Sequence, residues 1–283
     1  MKLFRFGSPR REKPGIIDPD GVLRDISPIY ADLSGAALAP ASLERLRHAD
    51  LQSLPPVPEG ARLGPCIGGT RNFIAVGLNY ADHAKESGMA IPTEPVLFNK
   101  APSCIVGPND DIEIPRGSQK LDFEVEAAVV IGERASYIKE SEAPAVISGY
   151  CICHDVSSRD FQLEGTGQWM KGKGCPTFGP LGPWLVTTDE IENVQALSMW
   201  LDVNGEPMQR GSTSTMIFGV HFLVAYISKF IALEPGDVIT TGTPPGVGMG
   251  RKPPRYLKAG NKISLGITGL GEQHQRVVSP LAG

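Results

Sequence analysis

The apolar positions of this chain fall mostly into short runs of strand length, broken by polar turns rich in glycine and proline. From residue 72 onward the runs are NFIAVGLN, PVLFNK, DIEIP, DFEVEAAVVIG, ISGYCICHD, PWLVT, LSMWLDVNGE, DVITTG and KISLGI. Asn204-Gly205, between LSMWLDV and EPMQ, marks a hairpin turn. Helical spacing appears at 41–50, 79–88 and 214–231. The last stretch is apolar nearly all round, which predicts a buried packing helix with His221 in the core or at an interface. The first 65 residues read as a smaller unit. LFRFG and GIIDPDGVLRDI suggest strands, ASLERLRHAD a helix, and LQSLPPVPEGARLGP a proline-rich linker. The pattern predicts a β-rich α+β fold, rolled or barrel-like, with a small N-terminal α/β domain at 1–65 and a larger domain at 66–283.

Composition narrows the function. The chain has 283 residues, 41% hydrophobic and 20% charged, with a net charge of −4. That balance offers no basic footprint for nucleic acid or an anionic membrane. The apolar runs fall short of the ~20 residues a spanning helix needs. MKLFRFGSPRREK lacks the apolar core of a signal peptide. The five cysteines lack zinc-like spacing and read as buried free thiols. Together these features lead us to expect a cytoplasmic protein with a small-molecule partner.

Candidate chemistry begins inside LDFEVEAAVVIG. Glu124 and Glu126, with Asp122 in the same phase, put carboxylates on one face of an otherwise apolar strand, ~6–7 Å apart along it. Like charges so placed repel unless something positive lies between them, and a divalent metal is the obvious candidate. A third ligand is available at Asp155, where the apolar strand YCICH ends. Three carboxylates form a hard oxygen site suited to Mg²⁺ or Mn²⁺. Asp155, Arg159 and Gln162 are spaced i, i+4, i+7, so a helix starting at Asp155 would align them. The alternatives are a solvent-facing edge strand for the glutamates and a local ion pair for Asp155 and Arg159. Neither explains why both acidic clusters adjoin apolar strands. In the stretch 79–88, Asn79 is a candidate cap and Gly88 a stop. His83 and Glu86 are neighbours at i, i+3, a carboxylate–imidazole pair able to activate water. The segment 80–92 reads as a candidate lid. GQWMKGK fits a phosphate-loop spacing, but Gly174 replaces the required hydroxyl residue, and GVGMG lacks a following helix. Neither is a nucleotide site.

Taken in order, VGLNYADHAKE, PVLFNKAPS, DFEVEAAVVIG, GYCICHDVSSRDFQ, QWMKGKGCPTFGPLGPWLVT, VNGEPMQRGSTSTMIF and PGDVITTGTPPGVG resemble the fumarylacetoacetate hydrolase family over about 72–278. The resemblance implies a mixed β-roll catalytic domain, a homodimer or higher homo-oligomer, and bound Mg²⁺ or Mn²⁺. It implies metal-ligand roles for Glu124, Glu126 and Asp155, a water-activating dyad at His83 and Glu86, and a catalytic lysine at Lys173. It places Arg159, Gln162, Lys173 and Thr243 against the substrate. Gly174 stands where the family usually has serine, which implies a looser loop after Lys173. The implied reaction is hydrolysis of the C3–C4 bond of a 2,4-dioxo acid to release pyruvate. The motifs are most similar to the bacterial sugar-acid branch acting on 2,4-diketo-3-deoxy-L-rhamnonate, which yields pyruvate and L-lactate. Acylpyruvate or fumarylpyruvate hydrolysis and oxaloacetate decarboxylation are alternatives on the same scaffold, and isomerases share the metal motifs. A non-catalytic metabolite-binding protein is a further alternative. For a hydroxylated tail, Gln168 and residues 212–214 are the candidate polar contacts.

Overall fold

A computed structural model describes residues 1–86 and 88–280. Its strands, in chain order, are β1 (Lys2–Phe6), β2 (Lys13–Ile17), β3 (Leu23–Asp25), β4 (Phe73–Gly77), β5 (Val96–Lys100), β6 (Ile105–Val106), β7 (Ile112–Glu113), β8 (Leu121–Asp122) and β9 (Val125–Ile131). There follow β10 (Ile147–His154), β11 (Ser157–Ser158), β12 (Gly179–Thr187), β13 (Ser198–Val203), β14 (Glu206–Ser212), β15 (Val238–Thr240), β16 (Lys262–Ile267) and β17 (Gly271–Val278). The helices are short: α1 (Pro40–Arg47), α2 (Ala81–Glu86), α3 (Ala143–Val146), α4 (Arg159–Leu163), α5 (Trp169–Lys173) and α6 (Val220–Ile227). This is the expected β-rich α+β class.

The main sheet has the order β3-β2-β1-β12-β10-β9-β15-β4-β5, with β6 added alongside β12. A second sheet runs β14-β13-β16-β17-β7, and β8 pairs with β11. β9 and β10 lie in the middle of the main sheet, and every residue of both is buried. A strand covered on both faces must be apolar throughout, which is why AAVVI and YCIC read as continuous runs instead of alternating ones. β9 has β10 on one side and β15 on the other, so Glu124 and Glu126 do not lie on a solvent-facing edge. The described cysteines are all free thiols. No helix among the described residues is long and apolar enough to cross a membrane.

Three expectations change. The N-terminal strands do not build a sheet of their own: β1 pairs antiparallel with β12, Lys2 opposite Val186 and Leu3 opposite Leu185, and extends the main sheet. The helix expected over 214–231 shrinks to α6. Asn79 pins the chain ahead of it, its Oδ1 accepting from the Phe218 amide at 2.8 Å and its Nδ2 donating to the Phe218 carbonyl at 3.0 Å. Asn79 also donates to the Thr241 carbonyl at 2.8 Å, so its side chain serves tertiary anchoring. His221 is half-buried on α6. The helix expected over 79–88 is α2, which the Gly88 amide closes onto the Lys85 carbonyl at 3.1 Å; Ser87 of that stretch lies outside the described residues, as do residues 281–283.

The β13–β14 turn forms as expected, with Asn204 at φ 54° and Gly205 at φ 77°. Two successive left-handed residues match the strand twist. A Cβ at Gly205 would meet no atom within 4 Å, so the left-handed backbone alone sets the cost of substitution. Gly205→Ala should lower unfolding free energy by about 1–2 kcal/mol, read as a lower urea midpoint. A midpoint unchanged within error would show that the turn relaxes to another type.

Candidate active site

The site lies where the entry into β9, the end of β10 and the end of β15 meet. Glu124 and Glu126 flank the first residue of β9. Asp155 follows the last residue of β10, its amide donating to the Glu124 carbonyl at 2.9 Å. Each of the three carboxylates offers an oxygen within 4.8 Å of the other two, and all three are buried. The donor set is hard oxygen without imidazole or thiolate, and it fits Mg²⁺ or Mn²⁺. Burial, and then the negative charges of Asp155 and Glu124, raise Glu126 well above the usual carboxylate range. Glu126 is held by the Thr240 hydroxyl and by the Gly242 amide at 2.8 Å. Burial would raise Glu124 too, but Lys173 and then Arg159 outweigh it and hold Glu124 well below that range.

Buried cations complete the cluster. Lys173 is the last residue of α5, and its Nζ donates to Glu124 Oε2 at 2.6 Å and Asp155 Oδ2 at 2.8 Å. GQWMKGK is thus the approach to this short helix, and the phosphate-loop spacing is coincidental. Arg159 opens α4 and reaches Asp122 Oδ2 at 2.8 Å, Glu124 Oε1 at 2.5 Å and Gln162 Oε1 at 3.0 Å. The helix begins at Arg159 and not at Asp155, because β11 intervenes. Arg159 therefore engages the carboxylates ahead of β9 in place of an i, i+4 pair with Asp155.

Two residues outside the expected set prove central. Lys100, at the end of β5, is 1% exposed; its Nζ donates to Asp155 Oδ1 at 2.5 Å and to the Lys173 carbonyl at 2.5 Å. It grips one metal-ligand candidate and the backbone of the lysine together. The only signal was a lysine closing the apolar run VLFN. Asp122 accepts from the Gly248 amide at 2.7 Å and the Met249 amide at 3.0 Å, besides Arg159. Its phase with Glu124 was visible; its loop partners Gly248 and Met249, more than a hundred residues away, were not.

His83 lies across the pocket on α2. Its Nδ1 is buried, 3.6 Å from Glu86 Oε2, and without a hydrogen-bond partner among the described residues. Both Glu86 oxygens accept from the Gly246 amide, at 3.1 and 2.9 Å. Burial opposes ionisation of Glu86, but His83 and this amide hold it below its ordinary value. Thr243 lines the same pocket, its hydroxyl donating to the Val125 carbonyl at 2.9 Å. All nine expected site residues thus gather here except Glu86, which stands behind His83. Gln168 and residues 212–214, expected to read a hydroxylated tail, are not among the residues lining this pocket.

The model of the fumarylacetoacetate (FAA) hydrolase C-terminal family matches residues 72–278. A Burkholderia multivorans protein bearing only the provisional description hydrolase is 56% identical over 276 residues, covering 97% of this chain and 98% of its own. A solved structure from Mycobacterium abscessus, described as a 2-hydroxyhepta-2,4-diene-1,7-dioate isomerase, is 36% identical, covers 100% of both chains and has a TM-score of 0.84. Maleylpyruvate hydrolase from Sphingobium sp. SYK-6, solved with manganese(II) and pyruvate, is 25% identical over 99% of this chain and 100% of its own, with a TM-score of 0.81.

Two outcomes follow from the charge geometry. Glu126→Gln replaces a carboxyl group crowded by two carboxylates with a neutral amide. Its Mn²⁺ affinity by calorimetric titration should fall on the order of 100-fold, while the metal-free variant melts no lower than wild type. Retained affinity would remove Glu126 from the ligand set. Lys100→Met would leave Asp155 Oδ1 and the Lys173 carbonyl without a donor in a dry core. The expected loss is about 3–5 kcal/mol of unfolding free energy, and a loss under about 1 kcal/mol would mean that water replaces the ammonium.

Proposed function

This chain belongs to the fumarylacetoacetate hydrolase family, and on that premise we propose that it hydrolyses the C3–C4 bond of a 2,4-dioxo acid and releases pyruvate. One placement carries this: Lys173 Nζ sits among the carboxylates while His83 faces the same pocket from α2. The manganese(II) and pyruvate held by the maleylpyruvate hydrolase neighbour support the assignment of the pyruvate end. The substrate class includes 2,4-diketo-3-deoxy-L-rhamnonate.

Glu124, Glu126 and Asp155 would hold Mg²⁺ or Mn²⁺, which when bound supplies a Lewis acid for the 2-oxo carboxylate end of the substrate. Arg159 and Gln162 present donors to that end, and Thr243 closes it on the β15 side. His83, oriented by Glu86, takes a proton from water as the water oxygen attacks C4. Their 3.6 Å separation is of the loose kind that tightens when substrate binds. The C3–C4 bond then breaks, its electron pair passing to C3. C4 leaves as a carboxylic acid and C3 becomes the enolate carbon of pyruvate. Lys173 stands where that negative charge develops, in a water-poor site where a fixed ammonium has most effect. Protonation at C3 completes pyruvate.

The M. abscessus neighbour favours a second reading, isomerisation of an unsaturated 2-hydroxy acid, which consumes no water and frees no pyruvate. A coupled pyruvate assay over a panel of 2,4-dioxo acids separates the two. We expect stoichiometric pyruvate, lost in chelator and restored by Mg²⁺ or Mn²⁺. His83→Ala should cut hydrolysis by about 10²–10⁴-fold and spare oxaloacetate decarboxylation, which needs no attacking water. Equal losses in both reactions would make His83 a positioning group. Isomerised substrate without pyruvate would defeat the hydrolase reading.

A further inference from the structure

The pocket is chemically divided. Its floor is the charged cluster; its outer wall is Leu78, Met89, Phe98, Leu163, Trp169 and Met249. Each of these six is half-exposed, so each turns apolar surface toward the opening. Among the described residues lining the pocket, the lysine and arginine are Lys173 and Arg159, and both are paired to carboxylates on the floor. Among the described residues, the outer wall offers no charged side chain to a second carboxylate and no polar side chain to a row of hydroxyls.

The wall is built, not incidental. The Trp169 ring lies directly on Gly77, where a Cβ would come within 2.4 Å of Cζ3, so only glycine admits the indole there. Trp169 meets Phe98 edge-on at 5.3 Å, and Phe98 in turn lies under Lys173 Nζ at 5.4 Å. Trp169 and Lys173 are i, i+4 on α5 and share a face. One short helix therefore carries Trp169 of the apolar wall and Lys173 of the floor together. Leu78 is held at φ 56°, a left-handed conformation costly for leucine, and such strain gathers at ligand-contacting positions. Met249 is fixed from behind by the bond of its amide to Asp122.

We propose that the outer wall is the subsite for the acyl group beyond C4 and that it selects uncharged apolar acyl groups, alkyl or aryl, over carboxylate-bearing or polyhydroxylated ones. This rests on the hydrolase reading above and refines its substrate class away from the sugar acid. A buried methylene contributes ~0.8 kcal/mol, so kcat/KM should rise about fourfold per methylene from acetylpyruvate to the butanoyl and hexanoyl homologues. Apolar-tailed acids should exceed carboxylate- or hydroxyl-tailed acids of equal length by roughly 100-fold, because a polar tail would lose its water without gaining partners. Trp169→Ala should flatten the chain-length dependence. Met249→Arg places a cation in the wall and should raise the ratio of carboxylate-tailed to apolar-tailed turnover at least tenfold over wild type, a gain that mere loosening of the fold cannot give. Wild-type preference for fumarylpyruvate or 2,4-diketo-3-deoxy-L-rhamnonate over hexanoylpyruvate would overturn the subsite while leaving the hydrolase reading intact. Failure of every 2,4-dioxo acid to release pyruvate would strike at the hydrolase reading itself.

Discussion

The structure turns on the burial of Asp122, Glu124, Glu126 and Asp155 beside Lys100, Arg159 and Lys173. Placing any one of these charges alone in a dry interior would cost several kcal/mol. Only mutual pairing makes the cluster tolerable, and pairing demands that segments from β5, β8, β9, β10, α4 and α5 arrive at one point. The cluster's attraction is therefore also a constraint on the fold. None of β9, β10 and β5 can slip register without leaving a buried charge bare. The carboxylates outnumber the cations by one, and Glu126, answered by a hydroxyl and an amide instead of an ammonium, carries the imbalance. A site with one negative charge too many is a site that favours a cation.

This division shows which parts of the molecule could be read from sequence. Glu124, Glu126 and Asp155 are legible because carboxylates beside AAVVI and YCIC contradict burial, and only chemistry resolves the contradiction. The hairpin at Asn204-Gly205 is legible because its geometry is decided by two adjacent residues. Lys100 is not, since a lysine closing VLFN looks like an ordinary strand end until Asp155 is placed beside it. The helix expected over 214–231 fails for a related reason. Its apolar periodicity is local, whereas the contacts that stop it, from Asn79 to Phe218, span 139 residues. The N-terminal strands illustrate the same limit: LFRFG says strand, but not which sheet edge it joins. Gln168 shows it at closest range, one residue before Trp169 yet outside the pocket that Trp169 lines.

The site separates parts that must be rigid from parts that must admit substrate. Electrostatic stabilisation works only if charges need not reorganise as the reaction proceeds, and the carboxylates and Lys173 are locked by central strands and their mutual bonds. His83 and Glu86, the proposed water-activating pair, sit instead on α2, a six-residue helix too short to be stable without tertiary support. Its anchorage near the site is through Glu86 to the Gly246 amide and through Asn79 to Phe218 and Thr241. Groups that must let substrate in belong at such low-stability positions.

The loop 246–250 joins these two halves. At one end its Gly246 amide holds Glu86, and two residues later its Gly248 and Met249 amides hold Asp122, which also holds Arg159. Five residues thus connect the carboxylate behind His83 to the Arg159 guanidinium on the pocket floor, and Met249 on the same loop lines the apolar wall of that pocket. GVGMG is rich in glycine because backbone amides, not side chains, make these connections. At Gly250 a Cβ would lie 2.3 Å from the Glu86 carboxyl carbon, so a larger residue there would have to displace the Glu86 carboxylate. A motif that fails as a nucleotide fingerprint is accounted for as the seam through which Glu86, Arg159 and the apolar wall of the pocket keep a common geometry.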